Sequence, residues 1–206
     1  LLCLYSSQKK LIAMKTTFQS DYGKLKSVFI KRPKEAFVDE NQIASQWKEL
    51  NFLSKPDLTK AEAEYAEFEK MITQQGAVTL KLPFDSSMTM DSIYCRDAAI
   101  ATDHGMILCN MGKPARKNEP AAERKAFENN AIKILGEITQ PGTLEGGDVA
   151  WVDEHTLAVG HTYLTNWEGI RQLKHLVEPH GIKVWVAEMP HYKGPSDVFH
   201  LMSVFS

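Results

Sequence analysis

Hydrophobic and polar positions alternate along the chain in short blocks, and the period of each block predicts its secondary structure. Short apolar runs bounded by turn residues are typical of strands that are buried on at least one face. The predicted strands lie at residues 25–33, 77–83, 98–102, 105–111, 149–152, 156–160 and 182–189, and the opening strand of a further unit is predicted at 200–206.

Helices are predicted between these strands, because start and stop residues bracket segments with helical spacing of apolar positions. In the first helix, Tyr65, Phe68, Met71 and Ile72 lie near one face. This first helix begins at a capping box of Thr59 and Glu62 and stops at Gly76. The second helix begins at Pro120 and stops near Gly136. The third helix begins at a capping box of Thr165 and Glu168 and stops at Pro179 and Gly181.

Polar or ionisable residues open successive units of this pattern at a regular interval. Asp97, Asp148 and His200 are 51 and 52 residues apart, and each precedes an apolar run. This period predicts repeated strand-strand-helix-strand modules. Ordinary alternation of strands and helices in an open α/β sheet is the alternative. If the modules pack around an axis, Asp97, the loop at 145–148 and His200 meet at one point.

Composition narrows the class of protein and of partner. With 43% hydrophobic and 24% charged residues, the chain is long and apolar enough for one large globular domain or two small ones. The formal net charge of −2 and the lack of a basic block disfavour nucleic acid as a partner. No apolar stretch is long enough for a membrane span. Cys3, Cys95 and Cys109 form no CxxC pair, so a reducing, cytoplasmic compartment is expected.

The first residues are expected to lie outside the fold. Met14 opens a stretch that reads like a natural start, so residues 1–13 are interpreted as a leader or upstream residues, and residues 14–206 as the folded domain.

Six segments together resemble the guanidino-group-modifying, or pentein, superfamily. Within it the resemblance is closest to dimethylarginine dimethylaminohydrolases and bacterial amidinotransferase-like proteins, and it covers nearly all of residues 20–206. The segments, in order, are LKSVFIKRP, DSIYCRDAAIA, MGKPAR, TLEGGDV, TNWEGIRQL and HLMSVFS. The resemblance implies a five-module α/β propeller, of which about three modules and the start of a fourth are expected here.

The resemblance also implies roles for individual residues. Asp97 matches the acid that binds the substrate guanidinium, a planar cation that a carboxylate complements well. Asp91 matches a further acid near the site, with a plain loop residue as the alternative. Glu145 matches the acid that holds the guanidinium or the catalytic histidine. Arg116 matches an arginine that contacts the amino-acid part of the substrate, with a solvated surface arginine as the alternative. His200 matches the general acid and base.

Other positions depart from the pattern that the resemblance implies. Arg96 stands where dimethylarginine hydrolases carry glutamate, and Leu164 stands where relatives carry an arginine that pairs with the substrate carboxylate. The nucleophilic cysteine is expected near the C-terminus of the family fold, in a module that these 206 residues do not reach. Cys95 is a minor candidate for that role, and Cys109 is interpreted as a small buried filler.

The leading hypothesis is therefore a hydrolase or amidinotransferase that acts on the guanidinium of an arginine derivative through a Cys–His mechanism. This hypothesis requires no cofactor and no metal. The expected partner is a small guanidino substrate rather than nucleic acid or a membrane, and assembly into a homo-oligomer is left open. A truncated or degenerate propeller that serves as a non-catalytic binding module is the alternative. A metal hydrolase is disfavoured, because the seven histidines show no ligand spacing.

Overall fold

The computed structural model describes residues 17–191, 194 and 199–205, so the expected leader at 1–13 lies outside the described residues. Within the described part, the chain forms a mixed α/β fold with small separate sheets. The strands are β1 (Ser27–Ile30), β2 (Val78–Lys81), β3 (Ala99–Thr102), β4 (Gly105–Leu108), β5 (Ile134–Glu137), β6 (Val149–Asp153), β7 (Thr156–His161) and β8 (Lys183–Glu188). The helices are α1 (Pro33–Phe37), α2 (Glu40–Gln46), α3 (Leu58–Gln74), α4 (Glu119–Asn129) and α5 (Trp167–Val177).

The sheets repeat one topology. In the second sheet β3 and β4 form an antiparallel hairpin, and β5 returns through α4 to lie parallel to β4. In the third sheet β6, β7 and β8 are arranged in the same way around α5. The first unit pairs only β1 and β2, which are parallel and connected by helices. The predicted α/β fold of strand-strand-helix-strand modules is confirmed in the second and third units.

The helix starts differ from the predicted capping boxes. The side chain of Asp57, not Thr59, accepts a hydrogen bond from a backbone N–H and caps α3. The side chain of Asn166, not Thr165, caps α5. Asp57 lies two positions before Thr59 and Asn166 lies one position after Thr165, and their side-chain oxygens accept the first free N–H groups of the helices. The Thr165 hydroxyl is directed to a buried carboxylate instead. The predicted stop of α3 at Gly76 is confirmed, since this residue has a φ of 83°.

The predicted end of the second helix is wrong. Helix α4 ends at Asn129, and Ala131 has a φ of 56°, a left-handed conformation that a helix cannot continue through. Gly136 lies instead in β5, a strand that the pattern did not identify. Strand β5 pairs with β4, so tertiary pairing decides the structure of this segment. The short helices α1 and α2 are also absent from the prediction, because they are too short to show a period.

The fourth unit does not open with the predicted strand. Leu201–Ser203 forms a 3₁₀ helix directly after His200. Similar 3₁₀ helices precede the first strand of the other two sheets, at Cys95–Ala98 and Gly146–Asp148. The repeated feature is thus a 3₁₀ helix that contains the anchor residue or directly follows it.

The main core lies under the second and third sheets and α5. Its members are aliphatic or aromatic side chains that are almost completely buried: Ile107, Leu144, Val149, Leu157, Val159, Ile170, Leu173 and Val177. Cys109 belongs to this cluster, which confirms its predicted role as a buried filler. In the part of the chain that the structure describes, no helix is both long and apolar enough to cross a membrane.

Candidate active site

The 3₁₀ turns of successive modules contact one another and bring the anchor residues to one place. Nε2 of His200 lies 3.2 Å from Oε2 of Glu145, and Nδ1 lies 3.9 Å from Oδ1 of Asp97. Leu201, the residue after His200, donates its backbone N–H to Oδ1 of Asp148. The predicted convergence of Asp97, Glu145 and His200 is therefore confirmed, although their chemical roles stay predictions.

Gly146 and Gly147 make this close approach sterically possible. A Cβ on Gly147 would lie 2.6 Å from Oδ1 of Asp97 and closer still to Nδ1 of His200. A Cβ on Gly146 would collide with the backbone carbonyl of Arg96, which cannot move away as a flexible side chain can. The glycine pair thus allows the third module to pack directly on the second module and on His200.

His200 is surrounded by carboxylates that favour its protonated form. Burial acts against protonation, but the hydrogen bond with Glu145 and the charges of Asp97 and Asp148 outweigh it. The pKa of His200 is therefore raised above its ordinary value. At neutral pH this shift enlarges the population of the imidazolium, the form that can donate a proton.

Glu145 is held in place by backbone and side-chain groups. Its carboxylate accepts a hydrogen bond from the backbone N–H of Lys113 at 3.1 Å, and its own N–H donates to Oγ1 of Thr165 at 3.2 Å. Burial raises the pKa of Glu145, but the hydrogen bond from His200 and the charge of Arg116 outweigh it, so the pKa is lowered. Glu145 is only 1% exposed, so it orients His200 from behind and does not face solvent.

Asp148 is a buried acid to which the sequence assigned no chemical role. Its Oδ2 accepts hydrogen bonds from the hydroxyls of Thr162 at 2.8 Å and Thr165 at 2.6 Å. Burial raises the pKa of Asp148, against the opposing effect of Thr165 and His200. Because Asp148 also accepts the N–H of Leu201, it fixes the backbone on which His200 sits. Its place as a repeat anchor is the sequence signal that marks it.

Arg116 is buried, so the surface-arginine alternative is wrong. Its side chain donates to Oδ2 of Asp97 at 2.5 Å and to both carboxylate oxygens of Glu119 at 2.9 and 2.7 Å. Burial lowers the pKa of the Arg116 guanidinium, but the hydrogen bonds and charges of Glu119 and Asp97 outweigh it and raise this pKa. Sequence reasoning missed Glu119, whose spacing of three residues from Arg116 is the available signal.

Asp91 lies in the layer behind the site. It is 4% exposed, and its Oδ2 accepts a hydrogen bond from Nζ of Lys113 at 2.5 Å. Since the backbone N–H of Lys113 binds Glu145, Asp91 is connected to the site through Lys113. The structure gives Asp91 no direct contact with His200 or Asp97, and its predicted role in substrate binding stays a prediction.

A cleft of about 670 Å³ opens beside His200 and Asp97. Asp97, Gly147 and His200 form its polar end, and most of the remaining wall consists of aromatic and aliphatic side chains from β1, α3 and residues 93–94. Arg96 also borders the cleft. Its guanidinium donates to the carbonyl of Val149 at 3.0 Å and lies 3.2 Å from Oδ1 of Asp21.

Neither described thiol has the features of an activated nucleophile. Cys95 borders the cleft, but burial raises the pKa of its thiol to about 12. Cys109 is completely enclosed by the core, and burial raises its pKa well above the ordinary value. A thiolate is the reactive form, so both side chains are poor nucleophiles at neutral pH. Across residues 17–191, 194 and 199–205, no group of His, Cys, Asp and Glu is arranged to hold a metal ion.

Leu164 lies next to the site but does not enter the cleft. It is 5% exposed, and its backbone packs so closely on Gly112 that a Cβ there would lie 2.7 Å from Cα of Leu164. The adjoining Thr165 binds both Asp148 and Glu145. The position at which relatives are expected to carry a carboxylate-binding arginine is therefore apolar and enclosed here.

Comparison with known proteins identifies relatives that act on guanidino compounds. The family model for arginine deiminase matches residues 89–206. A dimethylarginine dimethylaminohydrolase of Pseudomonas aeruginosa is 31% identical over 131 residues, which are 63% of this chain and 50% of that protein. A protein of the same name from Streptomyces coelicolor is 30% identical over 113 residues, 55% of this chain and 41% of that protein. The chain thus spans about half the length of the curated relatives it matches.

Solved structures share the fold at low sequence identity. One is a cysteine-to-serine mutant of the P. aeruginosa dimethylarginine hydrolase in complex with citrulline, with a TM-score of 0.69 and 24% identity. The alignment covers 87% of this chain and 64% of that chain. The N-terminal domain of a cyanobacterial arginine dihydrolase, bound to its substrate, has a TM-score of 0.65 at 16% identity, with 80% and 58% covered. An amidinotransferase from Microseira wollei has a TM-score of 0.61 at 15% identity, with 87% and 63% covered.

Proposed function

Because this chain belongs to the arginine deiminase family, within the pentein superfamily, we propose that it binds and modifies the guanidinium group of a small substrate. The observation that carries the proposal is the arrangement of His200 between Glu145 and Asp97 at the polar end of the cleft. A proton-transfer group and a guanidinium acceptor then face the same space.

Asp97 is the proposed guanidinium acceptor. Its Oδ2 accepts a hydrogen bond from Arg116, whereas its Oδ1 lies 3.9 Å from Nδ1 of His200, and Asp97 lines the cleft. A carboxylate oxygen in this position accepts an N–H of a planar substrate cation with a charge-assisted hydrogen bond. Arg116 balances only part of the negative charge of Asp97, Glu119 and Glu145. The remaining negative charge favours the binding of a second cation, the guanidinium of the substrate.

His200 is the proposed general acid and base. A cysteine thiolate attacks the guanidinium carbon and forms a carbon–sulfur bond. His200 then gives its proton to the departing nitrogen, which leaves as ammonia or an amine, and a thiouronium group remains on the sulfur. Neutral His200 next takes a proton from water, and the water oxygen attacks the same carbon. The thiolate then leaves, and the hydroxyl proton of the adduct passes to solvent as the neutral ureido product forms. If an amine attacks in place of water, the amidino group is transferred.

The thiolate of this mechanism is not provided by Cys95 or Cys109, since burial raises the pKa of both. We therefore propose that the nucleophile is a different cysteine, which the complete protein supplies. Because neither thiol is activated, a second function is also favoured for the 206-residue chain by itself. In that case the chain is a non-catalytic module that binds a guanidinium group. Both functions require the same binding by Asp97 and differ only in turnover.

The test is a product assay by mass spectrometry on the 206-residue chain and on the product of the complete reading frame. A panel of arginine, dimethylarginine and simple alkylguanidines is incubated with water alone or with an added amine acceptor. A ureido product identifies a hydrolase, and an amidino group on the acceptor identifies a transferase. His200→Asn should abolish either product. Turnover by the 206-residue chain that Cys95→Ser abolishes would instead move the nucleophile to Cys95.

A further inference from the structure

The guanidinium of Arg116 is already committed to groups within the protein. Its Nε, Nη1 and Nη2 make four hydrogen bonds, to both oxygens of Glu119, to Oδ2 of Asp97 and to the carbonyl of Tyr94. Arginine has five N–H donors, so one remains. The residue is 4% exposed, and it cannot turn its planar fork towards a ligand without leaving a buried carboxylate unpaired.

The other described cations near the cleft are also engaged. Nζ of Lys113 is paired with Asp91 and lies 3.4 Å from the carbonyl of Leu50. Arg96 binds Asp21 and the carbonyl of Val149. At position 164, leucine is buried where the family resemblance expects an arginine. Among the described residues, none of these groups is arranged to receive the carboxylate of an amino-acid substrate with a pair of hydrogen bonds.

The wall beyond Asp97 and His200 is mostly apolar. It includes Val28 and Phe29 of β1, Phe68 and Ile72 of α3, and Ile93 and Tyr94, and its remaining polar side chains are those of Tyr65, Arg96 and Ser203. A charged α-amino or α-carboxylate group placed against this wall would lose hydration without gaining a partner. An alkyl chain would instead remove apolar surface from water, which is favourable in proportion to the area buried.

We propose that the cleft selects guanidino compounds with an uncharged, apolar tail, such as N-alkylguanidines, and that Arg116 is a positioning residue that holds Asp97. This inference rests on the proposed function, because it assumes that Asp97 binds the guanidinium. Arg116 holds Oδ2 of Asp97, and this leaves Oδ1 on the side of His200. The apolar wall then sets the preference for what lies beyond the guanidinium.

The test is titration calorimetry of the 206-residue chain with n-butylguanidine, 4-guanidinobutanoate and L-arginine. These probes differ in the carboxylate and the amino group at the far end. The expected result is that n-butylguanidine binds at least about tenfold more tightly than the other two, since each charged end loses hydration in the cleft. Equal or tighter binding of 4-guanidinobutanoate or L-arginine would overturn the inference and leave guanidinium recognition intact.

A failure of the proposed function has a different signature. If none of the three probes binds, Asp97 does not recognise a guanidinium, and both proposals fall. If n-butylguanidine binds but Asp97→Asn does not weaken it, the ligand binds elsewhere, and both fall as well. The inference alone falls when binding depends on Asp97 and the order of affinities is reversed.

Variants separate the role of Arg116 from that of the wall. Arg116→Met should weaken n-butylguanidine binding, and Arg116→Lys should restore part of it, because a cation again faces Asp97. If Arg116 were a carboxylate receptor, Arg116→Met would weaken only the carboxylate probes.

Phe68 is 43% exposed on α3, so Phe68→Lys is tolerated and places an ammonium group at the cleft. It should improve the affinity for 4-guanidinobutanoate several-fold, whereas the control Phe68→Leu should not. Unchanged affinity in Phe68→Lys would contradict the position assigned to the ligand tail.

Discussion

Nε2 of His200 lies 3.2 Å from a carboxylate oxygen of Glu145, although 55 residues separate them in the sequence. Glu145 is itself fixed by Lys113 and Thr165, so its position does not depend on the histidine. A buried carboxylate on one ring nitrogen sets which nitrogen is directed to the substrate. Here Nδ1 is left on the side of Asp97.

Glu145→Gln tests whether this contact sets the protonation of His200. The variant keeps the shape of the side chain but removes its charge, so the pKa of His200 should fall. The free energy of unfolding at neutral pH should fall by about 1.5 to 3 kcal/mol, the typical contribution of a hydrogen bond to a charged group. NMR titration of the His200 ring measures the pKa directly. An unchanged ring titration would show that Asp97 and Asp148 dominate.

Gly147→Ala should separate Asp97 from His200, because the added Cβ would lie 2.6 Å from Oδ1 of Asp97. We expect altered titration of His200 and a loss of guanidinium binding. Gly181→Ala is the matched control. Gly181 has a φ of 77° and open space around its Cβ position, so alanine there costs about 1 kcal/mol through backbone strain alone. If both variants change the His200 titration equally, steric separation at the site is not the cause.

The stability of the protein should depend on pH through His200. The pKa of His200 is raised in the folded state, so its contribution is fully present below the unfolded-state value of about 6.5. That contribution is lost as the pH rises through the raised folded-state pKa. Urea unfolding at a series of pH values should show this decline, and His200→Gln should remove it. A decline of the same size in the variant would assign it to other groups.

Thr165→Val should destabilise the fold more than loss of a helix cap does. Thr165 is completely buried, and its hydroxyl serves both Asp148 and the backbone N–H of Glu145. Valine keeps the shape but leaves the backbone N–H of Glu145 unpaired, which costs about 1 to 3 kcal/mol. It also leaves Oδ2 of Asp148 with the Thr162 hydroxyl as its remaining side-chain donor. Asn166→Ala removes the cap of α5 and should cost about 1 kcal/mol. Thermal unfolding of the two variants gives the comparison. Equal losses would mean that Thr165 acts only as a helix-terminal residue.

Leu164→Arg restores the arginine that the family resemblance expects at position 164. An arginine directed to the cleft should tighten L-arginine binding by roughly 10- to 150-fold, the range for a hydrogen bond to a charged group. Leu164 is 5% exposed, so the same change should lower the free energy of unfolding, unlike the control Leu164→Met. Calorimetry and urea unfolding measure the two effects. A stable variant without any gain in affinity would show that this position does not face the substrate.

The sequence by itself determined the local elements and the repeat. Strands β6, β7 and β8 and helix α5 follow from apolar periodicity and turn residues, which act over a few neighbouring positions. The 51- and 52-residue spacing of Asp97, Asp148 and His200 predicted that they converge, since modules of equal length place equivalent residues at equivalent points. The repeat therefore predicted that Asp97, the loop at 145–148 and His200 lie together.

Only the tertiary structure decided which partner each of these side chains has. The pairing of β5 with β4 gave Gly136 its strand conformation, against the helical prediction. The hydroxyl of Thr165 binds Asp148 rather than capping α5, and Arg116 binds Asp97 and Glu119 rather than solvent. A buried polar group must be paired, and its partners come from segments distant in the chain. Local patterns carry no information about those partners, so the interior of the site depends on how the modules pack.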